Sequence, residues 1–168
     1  MTFQVLNGRL NISDSLYFGE RFDFCVYDLP ARKGRWDAHI VTRSYGQWGE
    51  RVSEFICRHQ DADKTATIDT LISDDIGNDA ATVCVYESEE GISDAHESYD
   101  SLVAGPHGAC STSGIGDGDY RAYGLYDGEE LVAVRLLYIS DVFGRWPAPV
   151  HGDTSWLPEQ PRYDDPTS

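Results

Sequence analysis

Positive charge is scarce in this chain: 13 Lys+Arg stand against 29 Asp+Glu over 168 residues, and only two of the 13 are lysines. The net charge is −16. A free-standing nucleic-acid binder is excluded on that ground, because such proteins neutralise phosphates with Lys and Arg. Docking on an anionic membrane surface is disfavoured for the same reason. Long apolar runs are missing too, and nothing approaches the ~18 residues of a membrane span. The start, Met1-Thr2-Phe3-Gln4-Val5-Leu6, lacks the charged lead and apolar run of a signal peptide, so a cytoplasmic protein is expected. The four cysteines, Cys25, Cys57, Cys84 and Cys110, include no close pair. That excludes a zinc knuckle and a redox Cys-x-x-Cys. Apolar neighbours in Phe24-Cys25-Val26 and Val83-Cys84-Val85 read as small buried residues with reduced thiols. His39, His59, His96 and His151 are scattered singly and give no histidine metal cluster.

What is present is apolar enough to fold, with 40% hydrophobic and 12% aromatic residues. The length suits one domain, placed at residues 1–144. The segment 145–168 holds five of the seven prolines and reads as an acidic tail, surface-lying or disordered. Strand signals dominate the domain. Phe3–Leu6 and Leu10–Ser13 flank Asn7-Gly8, a hairpin signal. Arg21–Leu29, Trp36–Tyr45 and Arg51–Arg58 alternate apolar with polar, and Gly46-Gln47-Trp48-Gly49 is a turn between the last two. Thr67–Ser73 and Ala81–Glu87 are β-branched runs around the turn 74–79. Tyr120–Tyr126 and Glu130–Ile139 flank Asp127-Gly128, a second hairpin signal. One helix is expected over Ser93–Val103, capped by Ser93 with Asp94 and Glu97 in its first turn. The fold class is all-β or β-rich α+β: a single antiparallel sandwich or strongly bent sheet of about eight strands with one short helix.

Few local motifs carry chemistry. Asp61–Asp69 resembles the start of a calcium loop, but Ala66 and Ile72 replace its glycine and closing glutamate, so it cannot close. His107 and Cys110 lie close enough for a base–nucleophile pair, without an orienting group or a Gly-x-Ser-x-Gly elbow nearby. No catalytic residue is assigned. In Ser113-Gly114-Ile115-Gly116-Asp117-Gly118-Asp119-Tyr120, two acids and no base oppose a phosphate cradle. A glycine turn feeding the last hairpin accounts for it, and a calcium ion held by Asp117 and Asp119 is the ligand alternative.

Four segments together resemble domain-of-unknown-function family 4241. Asn7-Gly8-Arg9-Leu10-Asn11-Ile12-Ser13-Asp14 is similar to its opening Gly-x-hydrophobic-x-hydrophobic-x-Asp. Trp48-Gly49-Glu50-Arg51-Val52 and Ile76-Gly77-Asn78-Asp79-Ala80-Ala81 resemble two of its turns. The run from Ser113 to Tyr120, with Tyr123–Gly128, resembles its Ser-Gly-x-Gly-Asp-Gly-x-Tyr signature most specifically. The resemblance implies a compact β-domain over about residues 7–139. It implies no activity.

The acid is unevenly placed. Residues 1–60 hold 8 Lys+Arg against 7 Asp+Glu, whereas residues 61–130 hold 2 against 17, a net of −15. A concentrated excess suggests a one-signed face and a basic protein partner, as for an inhibitor, a nucleic-acid mimic or an immunity-type protein. The contact residues expected are Asp74, Asp75, Asp79, Glu87, Glu89, Glu90, Asp94, Glu97 and Asp100. A cation- or small-ligand-binding domain, enzymatic in one version, centred on Asp117, Asp119 and Tyr120, is the second reading. A salt-adapted protein without a charge-specific partner is the third.

Overall fold

The computed structural model describes residues 1–45, 49–114 and 116–139. These form eleven strands: β1 (Thr2–Val5), β2 (Arg9–Asp14), β3 (Val26–Pro30), β4 (Gly34–Ser44), β5 (Glu50–His59), β6 (Thr70–Asn78), β7 (Thr82–Tyr86), β8 (Leu102–Gly105), β9 (Gly108–Thr112), β10 (Gly118–Asp127) and β11 (Glu130–Leu137). They build two antiparallel sheets, ordered β1-β4-β5-β11-β10-β6 and β3-β2-β7-β9-β8. The expected all-β, antiparallel class is what the chain adopts.

Alternation decides which face each strand buries. On β4, Trp36 and Ala38 are buried while Arg35 and His39 are exposed. Phe3, Trp36, Phe55, Tyr120 and Leu136 of the first sheet, with Tyr138 just beyond β11, meet Leu10, Ile12, Val83, Val85 and Ala109 of the second in one core. Trp36 is fully buried, and its indole N–H donates to the Arg32 carbonyl at 2.9 Å, so no polar atom is stranded. Burial of each such side chain contributes roughly 1.5–3 kcal/mol.

A second, smaller cluster lies on the other face of the five-stranded sheet. Cys84, Tyr86 and Cys110 are covered there by Ile92 and Ala95, with Phe18 edge-on to Tyr86 at 4.7 Å. β7 is therefore buried at every position, with Val83 and Val85 in the main core and Cys84 and Tyr86 in this one. The covering segment, residues 87–101, contains the 3-10 turn Ala95–Glu97.

Several expectations are corrected. The strands among the described residues number eleven, and the helix over Ser93–Val103 does not form. Asp94 makes no capping bond, a three-residue turn ends at Ser98, and Leu102–Gly105 pairs with β9 instead. A helix that short gains too little to outweigh its nucleation cost against strand pairing. The Asn7-Gly8 turn does not make a hairpin: β1 pairs with β4, and β2 with β3 and β7. It carries the chain from one sheet to the other. β6 and β7 likewise belong to different sheets, and β6 runs through Asp74 and Asp75, where a turn was expected. Arg21–Cys25 is turn rather than strand. The Asp127-Gly128 hairpin forms as read, with Gly128 at φ +64°.

The thiols are also revised. β7 and β9 place Cys84 directly opposite Cys110, with Cα atoms 4.0 Å apart, and the two form a disulfide. Their 26-residue separation hides a contact made by strand register. Cys25 and Cys57 are free and buried, and burial pushes both thiols up. The turn residues 46–48 and the tail 145–168 lie outside the described residues.

Candidate functional site

A set of hydrogen bonds between segments distant in sequence gathers at one end of the sandwich. Asp14, at the end of β2, is fully buried. Its Oδ1 accepts from the Leu16 N–H at 2.9 Å, and its Oδ2 from the Asp79 and Ala80 N–H groups at 2.7 Å each. Burial pushes this carboxyl above its ordinary value, against the downward pull of those amides. Asp14 thus pins the β6–β7 connection to the five-stranded sheet. Tyr17 donates its hydroxyl to the Asp79 carboxylate. Ala81 sits at φ +53°, rare for a residue with a Cβ, and its N–H donates to Asp117 Oδ1 at 3.0 Å.

The glycine run docks on the same place. Ser113 donates its N–H to the Ala81 carbonyl at 2.9 Å and its hydroxyl to the Gly116 carbonyl at 2.6 Å. The Gly116 carbonyl also accepts from the Tyr120 hydroxyl at 2.6 Å. Gly114, at φ +75°, is pressed against β5: a Cβ there would stand 2.0 Å from the Val52 carbonyl oxygen. Asp14, the 76–81 connection, residues 50–52 and the residues 113–114 and 116–120 of the glycine run therefore converge, although they are dispersed along the chain. A cavity of about 790 Å³ opens among them, with Glu50, Arg51, Ala81, His96, Ser98 and Ser113 in its walls.

Asp117 and Asp119 come together with Asp79 around another cavity, of about 390 Å³, which Tyr17 and Phe24 also line. Tyr120, the third member of the ligand reading, is turned into the core instead. Among the described residues no group of three His, Cys, Asp or Glu side chains is placed to hold a metal ion.

The acidic contact candidates fall into two groups. Glu87, Glu89, Glu90, Asp94, Glu97 and Asp100 all lie on the 87–101 segment that overlies the five-stranded sheet, which contains no Lys or Arg. Five of these six are exposed. The exception is Glu87, whose carboxylate accepts from the Leu6 N–H at 3.0 Å and the Asn7 N–H at 2.6 Å and so holds the β1–β2 connection. Glu87, Glu89 and Glu90 further share a cavity of about 570 Å³ with Glu20 and Asp28, where Arg21 is the one base. Asp74, Asp75 and Asp79 belong to the other group, on β6 and the residue after it. The Asp75 carboxylate takes a local bond from the Ser73 hydroxyl.

The His107–Cys110 pair is ruled out as a nucleophile–base couple, because the Cys110 sulfur is bonded to Cys84. His107 Nδ1 lies 2.9 Å from the Gln4 carbonyl, joining the β8–β9 turn to β1.

The sequence reading missed a feature on the opposite side of the molecule. Strand alternation on β4, β5, β10 and β11 turns Arg35, Arg43, Arg51, Arg58, Arg121 and Arg135 outward, together with the acids Asp37, Glu54 and Asp119. Glu54 lies 2.7 Å from Arg135 and 3.6 Å from Arg43. The arginines come from four strands, so no window of sequence displays them together. No helix among the described residues is long and apolar enough to cross a membrane. The chain matches no known family model, no curated protein and no solved structure.

Proposed function

We propose that the protein is a non-catalytic interaction protein that binds a basic protein partner through the acidic 87–101 overlay. An inhibitor mimicking the charge of nucleic acid, or an immunity-type protein covering a basic enzyme, works in this way. The observation that carries the reading is the placement of six carboxylates, unaccompanied by Lys or Arg, on one segment over one sheet. Such a surface accelerates encounter with a positive patch and makes association sensitive to salt. The overlay is anchored by Ile92 and Ala95, so its charges are presented from a packed support. The cytoplasm remains the proposed compartment on the sequence reading; the Cys84–Cys110 disulfide is a bond more typical of oxidising ones.

The test is affinity capture from cell extract at low and at physiological salt, alongside a quadruple variant carrying Glu89→Lys, Glu90→Lys, Asp94→Lys and Glu97→Lys. Those four side chains are exposed, so the fold should survive their replacement. A basic protein should be retained by the native chain, released by salt, and lost with the variant. Equal recovery on both chains would remove the overlay from the mechanism.

A second reading is supported by the joint placement of Asp79, Asp117 and Asp119 around one cavity: a cation- or small-ligand site beside the glycine run. Millimolar calcium should then raise the melting temperature, because a ligand that binds the folded state stabilises it.

A further inference from the structure

The overlay crosses its sheet, and the crossing decides what holds it down. β7 and β8 run parallel on either side of β9, so residues 87–101 pass over β9 to join them. The two ends are tied to the main body. The Glu87 N–H donates to the His107 carbonyl at 2.8 Å, and the Ser101 carbonyl accepts from the Thr112 N–H at 3.0 Å. Between them, among the described residues, the backbone bonds are turns of the segment onto itself: Ile92 to Glu89, Ala95 to Ile92, Glu97 to Asp94 and Ser98 to Ala95. The middle is held by side chains. Ile92 and Ala95 are buried in one cluster with Cys84, Cys110 and Tyr86, and His96 Nδ1 lies 3.1 Å from the Ser15 hydroxyl.

The Cys84–Cys110 bond lies at the centre of that support. β9, and β8 through it, attach to their sheet by one ladder of five pairs with β7, and Cys84 opposite Cys110 is the middle pair. The loop that the bond closes contains the whole overlay and β8. While the bond is intact, β9 cannot part from β7. Reduction changes two things. The overlay, β8 and β9 become free to open together as one unit. Two unbonded sulfurs also need separate room beneath Ile92 and Ala95, in a layer packed without slack.

We propose that the Cys84–Cys110 bond is a redox clasp for the overlay: oxidised, it holds the acidic segment in place on the sheet; reduced, it leaves that segment free to lift. In closing, each thiol gives up one hydrogen and one sulfur–sulfur bond forms. A small-molecule disulfide takes the two electrons and two protons, its own bond breaks, and it leaves as two thiols. Both cysteines are buried, so this exchange takes place while the chain folds and its outcome is then retained. The overlay thus records the redox conditions under which the chain folded. The inference rests on the reading of the overlay as the docking surface, and it names what regulates that surface: carboxylates held in place meet a basic partner at a lower entropic cost than mobile ones.

The test is hydrogen exchange on the 15N-labelled full chain, oxidised and, in parallel, reduced in urea and refolded with dithiothreitol. The Ile92 and Ala95 N–H groups report the overlay, because turns this short do not persist off the sheet. The amides of β5, interior to the six-stranded sheet, report unfolding of the whole chain. Reduction should speed exchange at Ile92 and Ala95 by about tenfold or more and leave it faster than at β5. An oxidation-independent chain carrying Cys84→Ala and Cys110→Val, which fills the space without a bond, should behave as the reduced chain does, and it decides the matter if the reduced chain does not refold. Rates at Ile92 and Ala95 that do not change when the bond is absent, or that only match those of β5, would overturn the proposal. No partner enters this measurement, so its failure leaves the basic-partner reading standing. Equal capture by the quadruple lysine variant would remove that reading and leave the clasp untouched.

Discussion

Removal of the Cys84–Cys110 disulfide should destabilise the fold by an amount set largely by the loop it closes. The sequence separation is 26 residues. The chain-entropy relation gives about −12 cal/mol/K for a loop of that size, or about 3.5 kcal/mol at 25 °C. With roughly 0.3 kcal/mol/K of unfolding entropy for a domain of this size, the melting temperature should fall by about 12 °C. Both sulfurs are buried beneath Ile92 and Ala95, so reductant reaches them only in the unfolded chain. The assay therefore compares urea unfolding of the oxidised protein with that of protein reduced in urea and refolded with reductant present. Refolded wild type keeps both sulfurs in their cluster, which separates the loop effect from the packing loss that Cys→Ala would add. The denaturant slope should also rise, because an unfolded chain without the cross-link exposes more surface. A thiol count on the unreduced, unfolded protein should find two, from Cys25 and Cys57. Four thiols would disprove the bond, and coincident urea midpoints would disprove the loop argument.

Two further outcomes follow from the hydrogen-bonded end of the sandwich. Burial raises the Asp14 carboxyl above its unfolded value, so the folded chain holds that proton more tightly. Its contribution to stability is then full below about pH 4 and is lost as pH rises through the folded value. Urea midpoints of wild type measured against Asp14→Asn between pH 3 and pH 7 should show wild type losing ground as pH rises; a gain would reverse the sign of the argument. Gly114→Ala should cost on the order of 3 kcal/mol, since its Cβ would meet the Val52 carbonyl at 2.0 Å in a left-handed backbone. Gly128→Ala, left-handed but with nothing within 4 Å, should cost only about 1 kcal/mol, and equal losses at the two sites would refute the steric account.

What could be read in advance was local. Asp127-Gly128 joins two strands that pair with each other, so turn chemistry and alternation sufficed. Asn7-Gly8 has the same signature, yet its strands part into different sheets, because Glu87 takes the Leu6 and Asn7 N–H groups and β1 finds β4. Nothing near residue 7 encodes that choice. Ser93–Val103 looked helical by its cap residues, but β9 offered Leu102–Gly105 a ladder. The disulfide was illegible for the same reason: it depends on the register of β7 against β9. At the candidate sites, the 87–101 acids were visible because they are contiguous. The cluster of Cys84, Cys110, Ile92 and Ala95 beneath them was not, since it exists only once the strands are paired.

The placement of charge also bears on why the chain is acidic. Salt adaptation predicts carboxylates spread over every face, because each patch of surface must hold its own hydration. Here the strands of the six-stranded sheet carry six arginines against eight acids, Asp74 and Asp75 of β6 included, and so are nearly balanced, while the overlay on the five-stranded sheet carries six acids and no Lys or Arg. Strand alternation gathers the arginines from β4, β5, β10 and β11, and a single segment supplies the acids. Unbalanced negative charge is therefore concentrated on the overlay, in addition to the chain being acidic overall. The net charge of −16 makes two copies repel at long range, which opposes pairing of the arginine side of one with the acidic side of another. A foreign basic surface meets no such repulsion, and the local field turns it toward the overlay. Segregated charge on a supported segment is what recognition requires, and a solvation device does not need it.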